Sequence, residues 1–281
     1  MNSLYFVHIE KAAGTTIHEI FRNNFLFHYI DSPYKFSKLY NNQDCYIKKS
    51  ELKNLKKYIP KFKSFGGHSL RFFTDYEKVF LEDKLYGLTF LRNPIERYIS
   101  HYYHQVDKMN INWTFEEFLE NEPMKNFMCK KICGYGDFNR TLDLLERKKV
   151  FVGLVEYFDE SLVLMKKFMD SNQISNNFDI RYEKQNINTN KTNIKVVQII
   201  EKYEQKIIDV NKEDIKLYNY YLEKSKYFYE SNEFKKELSK LRLLNEHYKF
   251  SSLKINFMKL FRKVYITNLE KLIRDNSICQ F

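Results

Sequence analysis

Cysteine is scarce in this chain, with Cys45, Cys129, Cys133 and Cys279 the only four in 281 residues. So few and so scattered, they exclude a disulfide scaffold. Cys129 and Cys133 stand one helical turn apart, but no second Cys/His pair with ligand spacing follows them. They read as buried thiols, and no metal is expected. Long apolar runs are missing as well: none approaches the roughly 20 residues of a bilayer-spanning helix. With hydrophobic residues at 43%, wholesale disorder is also excluded. Met1 leads into the apolar run Leu4-Tyr5-Phe6-Val7 without the basic region or small-residue cleavage site of a secretory signal. A cytoplasmic protein is expected. No nucleic-acid-binding motif is recognisable, so nucleic acid is not the expected partner.

Positive charge is plentiful. The net charge of +11 calls for an anionic partner, cofactor or surface. Residues 239–281 hold nine Lys/Arg against three Asp/Glu, a surplus of six that is more than half of the total.

Pattern along the chain is that of an α/β fold. Residues 4–9 predict a buried strand, followed by the small-residue loop Glu10-Lys11-Ala12-Ala13-Gly14 and a helix from Thr15 with Ile17, Ile20 and Phe21 on one face. Residues 85–91 predict a second strand, ending at Arg92-Asn93-Pro94 with Pro94 placed to open a helix to about Gln105. A third unit runs from a strand at 150–155 to a helix carrying Leu162, Met165 and Met169, with Asp159 as the expected N-cap. Repeated strand-then-helix units imply a mostly parallel central sheet with helices on both faces, a P-loop-like three-layer sandwich. Residues 194–229 predict helix, and a helical C-terminal extension follows. Ligands of such sheets bind beyond the carboxyl ends of the strands, where the loops at Lys11 and Arg92 both fall.

A strand running into Lys11-Ala12-Ala13-Gly14-Thr15-Thr16 and then a helix presents main-chain N–H groups at a helix N-terminus, with a cation and two hydroxyls beside them. On this pattern alone the segment reads equally as a phosphate site or as an ordinary turn. The order GxxxxGK[ST] of a nucleoside triphosphatase is absent, and Arg92 stands where a carboxylate for Mg²⁺ would be sought. A nucleotide-dependent kinase is therefore the weaker alternative.

The segment from Val7 to Thr16, Val-His-Ile-Glu-Lys-Ala-Ala-Gly-Thr-Thr, resembles the 5′-phosphosulfate loop of sulfotransferases that use 3′-phosphoadenosine 5′-phosphosulfate (PAPS). Phe90-Leu91-Arg92-Asn93-Pro94-Ile95-Glu96-Arg97-Tyr98-Ile99-Ser100 resembles their 3′-phosphate segment. Gly66-Gly67-His68 and residues 152–162 resemble two further blocks of the branch that includes heparan sulfate 2-O-sulfotransferase and bacterial carbohydrate sulfotransferases. A weaker echo lies at residues 211–218. Glu10 departs from the pattern, since the family often has proline there.

The resemblance implies roles. Lys11 would stabilise charge on the leaving oxygen, and Lys11, Ala12, Ala13, Gly14, Thr15 and Thr16 would hold the 5′-phosphate. Arg92 and Ser100 would hold the 3′-phosphate, eight residues being a little over two helical turns; Arg97 is the competing cation. His68 would be the base that takes the acceptor's proton, while His8 is expected to pack in the core, and His101 and His104 to line the acceptor site or pack. Lys191 and Thr192, with Arg181 and Lys184, would cover the nucleotide. A carbohydrate hydroxyl is the expected acceptor, with a protein tyrosine or lipid hydroxyl as the alternative, received by residues 31–60 and by aromatic residues such as Trp113 and Phe127; PAP (adenosine 3′,5′-bisphosphate) is the product. The domain is expected over residues 1–230 and the basic extension over 231–281. There Phe257, Leu260, Phe261, Val264 and Tyr265 fall at helical spacing among lysines and arginines, which suits either packing on the domain or peripheral contact with an anionic membrane.

Overall fold

The computed structural model describes residues 2–31, 46–58, 62–80, 84–183, 194–261 and 263–264. Cys45, Cys279, Lys184, Lys191, Thr192 and Tyr265 lie outside the described residues, as does most of 31–60. Five strands form one parallel sheet in the order β2-β3-β1-β4-β5: β1 (Ser3–Val7), β2 (Tyr29–Asp31), β3 (Ser64–Gly67), β4 (Leu85–Leu91) and β5 (Phe151–Leu154). Every residue of β1 is buried, as a central strand covered on both faces requires. Its neighbours are set in register by Leu4 opposite Ser64 on one side and Tyr86 on the other.

Connections fix where a ligand can enter. The chain leaves β1 through α1 (Gly14–Phe25) toward β2 on one side, while from β4 it crosses to β5 on the other. Right-handed crossovers in opposite directions put their helices on opposite faces, and a crevice opens between the carboxyl ends of β1 and β4.

Helices α2 (Lys49–Tyr58), α3 (Pro94–Tyr103), α4 (Phe115–Glu120), α5 (Phe127–Cys133), α6 (Phe138–Arg147), α7 (Phe158–Ser171), α8 (Ile194–Val210) and α9 (Lys212–Tyr229) complete the matrix around the sheet. Leu4, Phe6, Ile17, Phe21, Leu88 and Phe90 anchor the main core. A second cluster, built on Tyr98, Phe115, Phe118 and Ile207, joins α3, α4 and α8. Each fully buried aromatic or leucine contributes about 1.5–3 kcal/mol. Helix α10 (Asn232–Asn245) buries Phe234, Leu238 and Leu241 in the main core and lies against α7. Helix α11 (Ser252–Phe261) buries Met258, rests Phe257 and Phe261 on Phe27, and holds Asn23 through Lys254. Leu253, Phe257, Leu260 and Val264 stay exposed.

Some expectations need correction. The N-cap of α7 is Tyr157, without a side-chain cap, and Asp159 already lies in the first turn. There its carboxylate meets the helix dipole and accepts from Tyr182 at 2.7 Å, while Arg242 of α10 pairs with it at 3.4 Å. Strand β1 ends at Val7, two residues early, because the chain turns away to form the loop. Cys129 and Cys133 are buried free thiols, and burial pushes both upward from their ordinary value. Among the described residues no helix is long and apolar enough to cross a membrane.

Candidate active site

The loop after β1 carries two non-glycine residues in the left-handed region, Lys11 at φ 67° and Ala13 at φ 56°. Each such residue costs about 1–2 kcal/mol, and strain of this kind collects at working sites. Left-handed Ala13 followed by helical Gly14 turns successive amides toward one point, a concavity suited to anions. The first main-chain bond of the helix runs from Ile17 N to the Ala13 carbonyl oxygen, so the amides of Gly14, Thr15 and Thr16 are first-turn donors. Ala12 does a different job. Its methyl is fully buried, and its amide donates to the Ile9 carbonyl at 3.2 Å, locking the loop from inside. Gly14 is obligatory for space: a Cβ there would fall 1.7 Å from His8 Nε2.

Arg92 follows β4 directly and reaches across the crevice. Its Nη1 donates to the Lys11 carbonyl at 3.3 Å, and its Nη2 pairs with Glu96 at 3.1 Å. The turn behind it is pinned from two sides. Asn93 caps α3 through the amides of Ile95 and Glu96, and its own N–H donates to Glu156 at 2.8 Å. Glu156 in turn accepts from the Tyr218 hydroxyl of α9 at 3.0 Å. Ser100 is half-buried farther along α3. Arg97, the other cation of this segment, is fully buried, 3.2 Å from His101 Nδ1 and stacked over Phe127 at 4.8 Å.

Beyond α3 the helix widens into a π-helical turn, His104–Lys108, a device common at functional sites. Its residues face the loop electrostatically. Burial, then Arg92 and Lys108, push the Lys11 ammonium below its ordinary value. Burial, then Lys11 and His68, do the same to His104. Cations gathered this closely around an amide concavity fit an anionic group carrying more than one charge.

His68 follows β3 on the other side of β1. Its Nδ1 lies 3.1 Å from both the His8 carbonyl oxygen and Glu10 Oε1, and its ring stacks on His8 at 3.8 Å. Arg71 Nη1 donates to the His68 carbonyl at 2.7 Å and fixes the turn. Glu10 Oε1 also receives Lys131 Nζ of α5 at 2.9 Å. Burial opposes ionisation of Glu10, but Lys131 and then His68 outweigh it and hold the carboxyl well below its usual range. A chain of rings continues inward: His8 Nδ1 is 3.1 Å from His18 Nε2, and His18 Nδ1 is 2.5 Å from the Tyr29 hydroxyl. Burial, then His68 and His18, keep His8 neutral by lowering it well below the ordinary imidazole value.

The Sulfotransferase family is matched over residues 1–221. The chain belongs to that family. A solved sulfotransferase from Alicyclobacillus acidocaldarius is similar at 16% identity with a TM-score of 0.43, over 76% of this chain and 96% of that one. A comparison with proteins of curated function finds no match.

Family membership sets aside the kinase alternative for this sulfotransferase. The predicted loop from Lys11 to Thr16, Arg92 and His68 stand at the ends of three adjacent strands, β1, β4 and β3. Arg181 is engaged elsewhere, paired with Asp179 at 2.8 Å and lying over Tyr248 at 4.6 Å. Phe127 packs beneath Arg97 and Lys131, and Trp113 against Phe118. Glu10, Lys131, Glu156 and Asp214 were missed. Asp214 is fully buried and accepts from the Met128 and Cys129 amides, 2.9 Å each, at the start of the helix that carries Lys131. Among the described residues no group of three or more His, Cys, Asp or Glu is placed to hold a metal ion.

Proposed function

We propose that this protein transfers a sulfuryl group from PAPS to a carbohydrate hydroxyl, releasing PAP and requiring no metal. The observation that supports this most is the meeting of Arg92 with Lys11 at 3.3 Å, beside the open first turn of α1. When bound, the donor supplies the sulfur electrophile and a phosphate leaving group. Amides of Ala13 to Thr16 hold the 5′-phosphate, with the hydroxyls of Thr15 and Thr16 alongside. Arg92 and Ser100 hold the 3′-phosphate. His68 accepts the hydroxyl proton as the acceptor oxygen bonds to sulfur and the sulfur–phosphate oxygen bond breaks. Lys11 meets the charge that builds on that departing oxygen.

Catalysis belongs to residues 1–230 in this reading. The basic extension, residues 231–281, either packs on that domain, as the buried Phe234, Leu238, Leu241 and Met258 favour, or makes peripheral contact with an anionic membrane surface through the exposed residues Leu253, Phe257, Leu260 and Val264.

Titration calorimetry without magnesium tests the donor site. PAP should bind at least about tenfold tighter than 5′-AMP, a difference of about 1.4 kcal/mol. Equal affinities, or binding only with Mg²⁺ and ATP, would end the reading.

A further inference from the structure

The buried ion pair between Glu10 and Lys131 is set 121 residues apart in sequence and is nearly sealed from water, with side-chain exposures of 8% and 6%. Replacing such a pair by apolar residues of like volume is often neutral or stabilising, so stability alone does not explain it. Its arrangement is lopsided. Oε1 of Glu10 takes both Lys131, at 2.9 Å, and His68 Nδ1, at 3.1 Å. Oε2 is buried without a hydrogen-bond partner among the described residues. A buried carboxylate oxygen left without a partner carries a desolvation cost that packing alone does not call for.

We infer that Glu10 is a positioning residue for His68: its carboxylate, held in place by Lys131, orients the imidazole and stabilises the cation that forms when the ring takes a proton. This rests on the reading of His68 as base. With Nδ1 donating, the neutral ring keeps its lone pair on Nε2, the form a base requires. The His8 carbonyl, also 3.1 Å from Nδ1, fixes the same tautomer but carries no full charge. Unlike that carbonyl, the carboxylate answers the positive charge of the imidazolium in full, as the third member of a nucleophile–base–carboxylate arrangement does. Lys131 keeps that carboxylate ionised in a buried site. His8, stacked on the ring, Arg71 on its carbonyl and His104 from the π-helical turn also lie around it, and none of these three is an anion.

Proton spectra of the full-length protein read the interaction directly, because a charge-assisted Nδ1–H···carboxylate bond moves its proton far downfield. A downfield resonance should appear in the wild type, vanish in His68→Gln, and be lost or moved upfield in Glu10→Gln. Affinity of the wild type for PAP, measured alongside, reports on the donor site separately from this resonance. Should the single variant fail to fold, Glu10→Gln/Lys131→Gln leaves no unpaired buried charge and must lose the resonance too. A resonance missing from the wild type, or unchanged in the variants, overturns the inference. Failure to bind PAP would instead strike the donor reading, and the two results are independent.

Discussion

Arg92 Nη1 donates to the carbonyl oxygen of Lys11 at 3.3 Å, joining the loop after one central strand to the turn after its neighbour. The contact brings a second cation to the loop that carries Lys11. Arg92→Ala should therefore weaken PAP binding by about 10- to 100-fold, the loss of one charge-assisted contact of about 1.5–3 kcal/mol, while 5′-AMP affinity changes far less. Arg92→Lys should not restore it, since a point charge lacks the planar fork. Calorimetry on the three proteins decides the matter; a parallel loss for both nucleotides would contradict it.

His68→Ala should lower turnover by about 10²- to 10⁴-fold and leave PAP affinity intact. Full activity in that variant would remove His68 as the base.

Gly14→Ala presses a methyl into the His8 ring, 1.7 Å from Nε2, where neither β1 nor α1 can yield. The expected cost is about 1–3 kcal/mol or more, seen as a lower Tm, with partial recovery in Gly14→Ala/His8→Ala. An unchanged Tm in the single variant would show that the loop relaxes freely.

Acid should unfold this protein early. His8 and His101 are held well below the ordinary imidazole value, His8 by burial and its histidine neighbours, His101 by burial and Arg97. Below about pH 6.5 the unfolded chain takes up those protons and the folded chain does not, so stability present above that pH is lost as pH falls, by about 1.4 kcal/mol per pH unit for each histidine. Glu10, held low against its unfolded value, extends the loss to more acid pH. Thermal melts between pH 7.5 and 5 should show Tm falling steadily; a flat profile would refute this.

Leu253 and Leu260 are 82% and 58% exposed on α11. Leu253→Glu/Leu260→Glu should abolish flotation with phosphatidylserine vesicles without lowering Tm. Equal flotation of both proteins would end the membrane reading.

What the sequence disclosed was local. Strand β4 is legible because a parallel strand covered on both sides must be an unbroken apolar run, and the Lys11 loop because only small residues let a chain turn so tightly into a helix. Asp159 misled because an aspartate before an apolar run is the usual cap, whereas the helix had already begun at Phe158. Strand β2, three residues long, is too short to show a period. Glu10 and Lys131 could not be paired from spacing, since no local rule links positions 121 residues apart. One signal was present all the same: an acid at the end of a strand destined for burial demands a cation from somewhere.

The carboxylate of Asp214, clasping the amides of Met128 and Cys129, fixes where the polypeptide must return after its long polar excursion. The start of α5, and with it the placement of Lys131 less than one turn farther along, is therefore held by α9 and does not depend on the segment that joins α7 to α8.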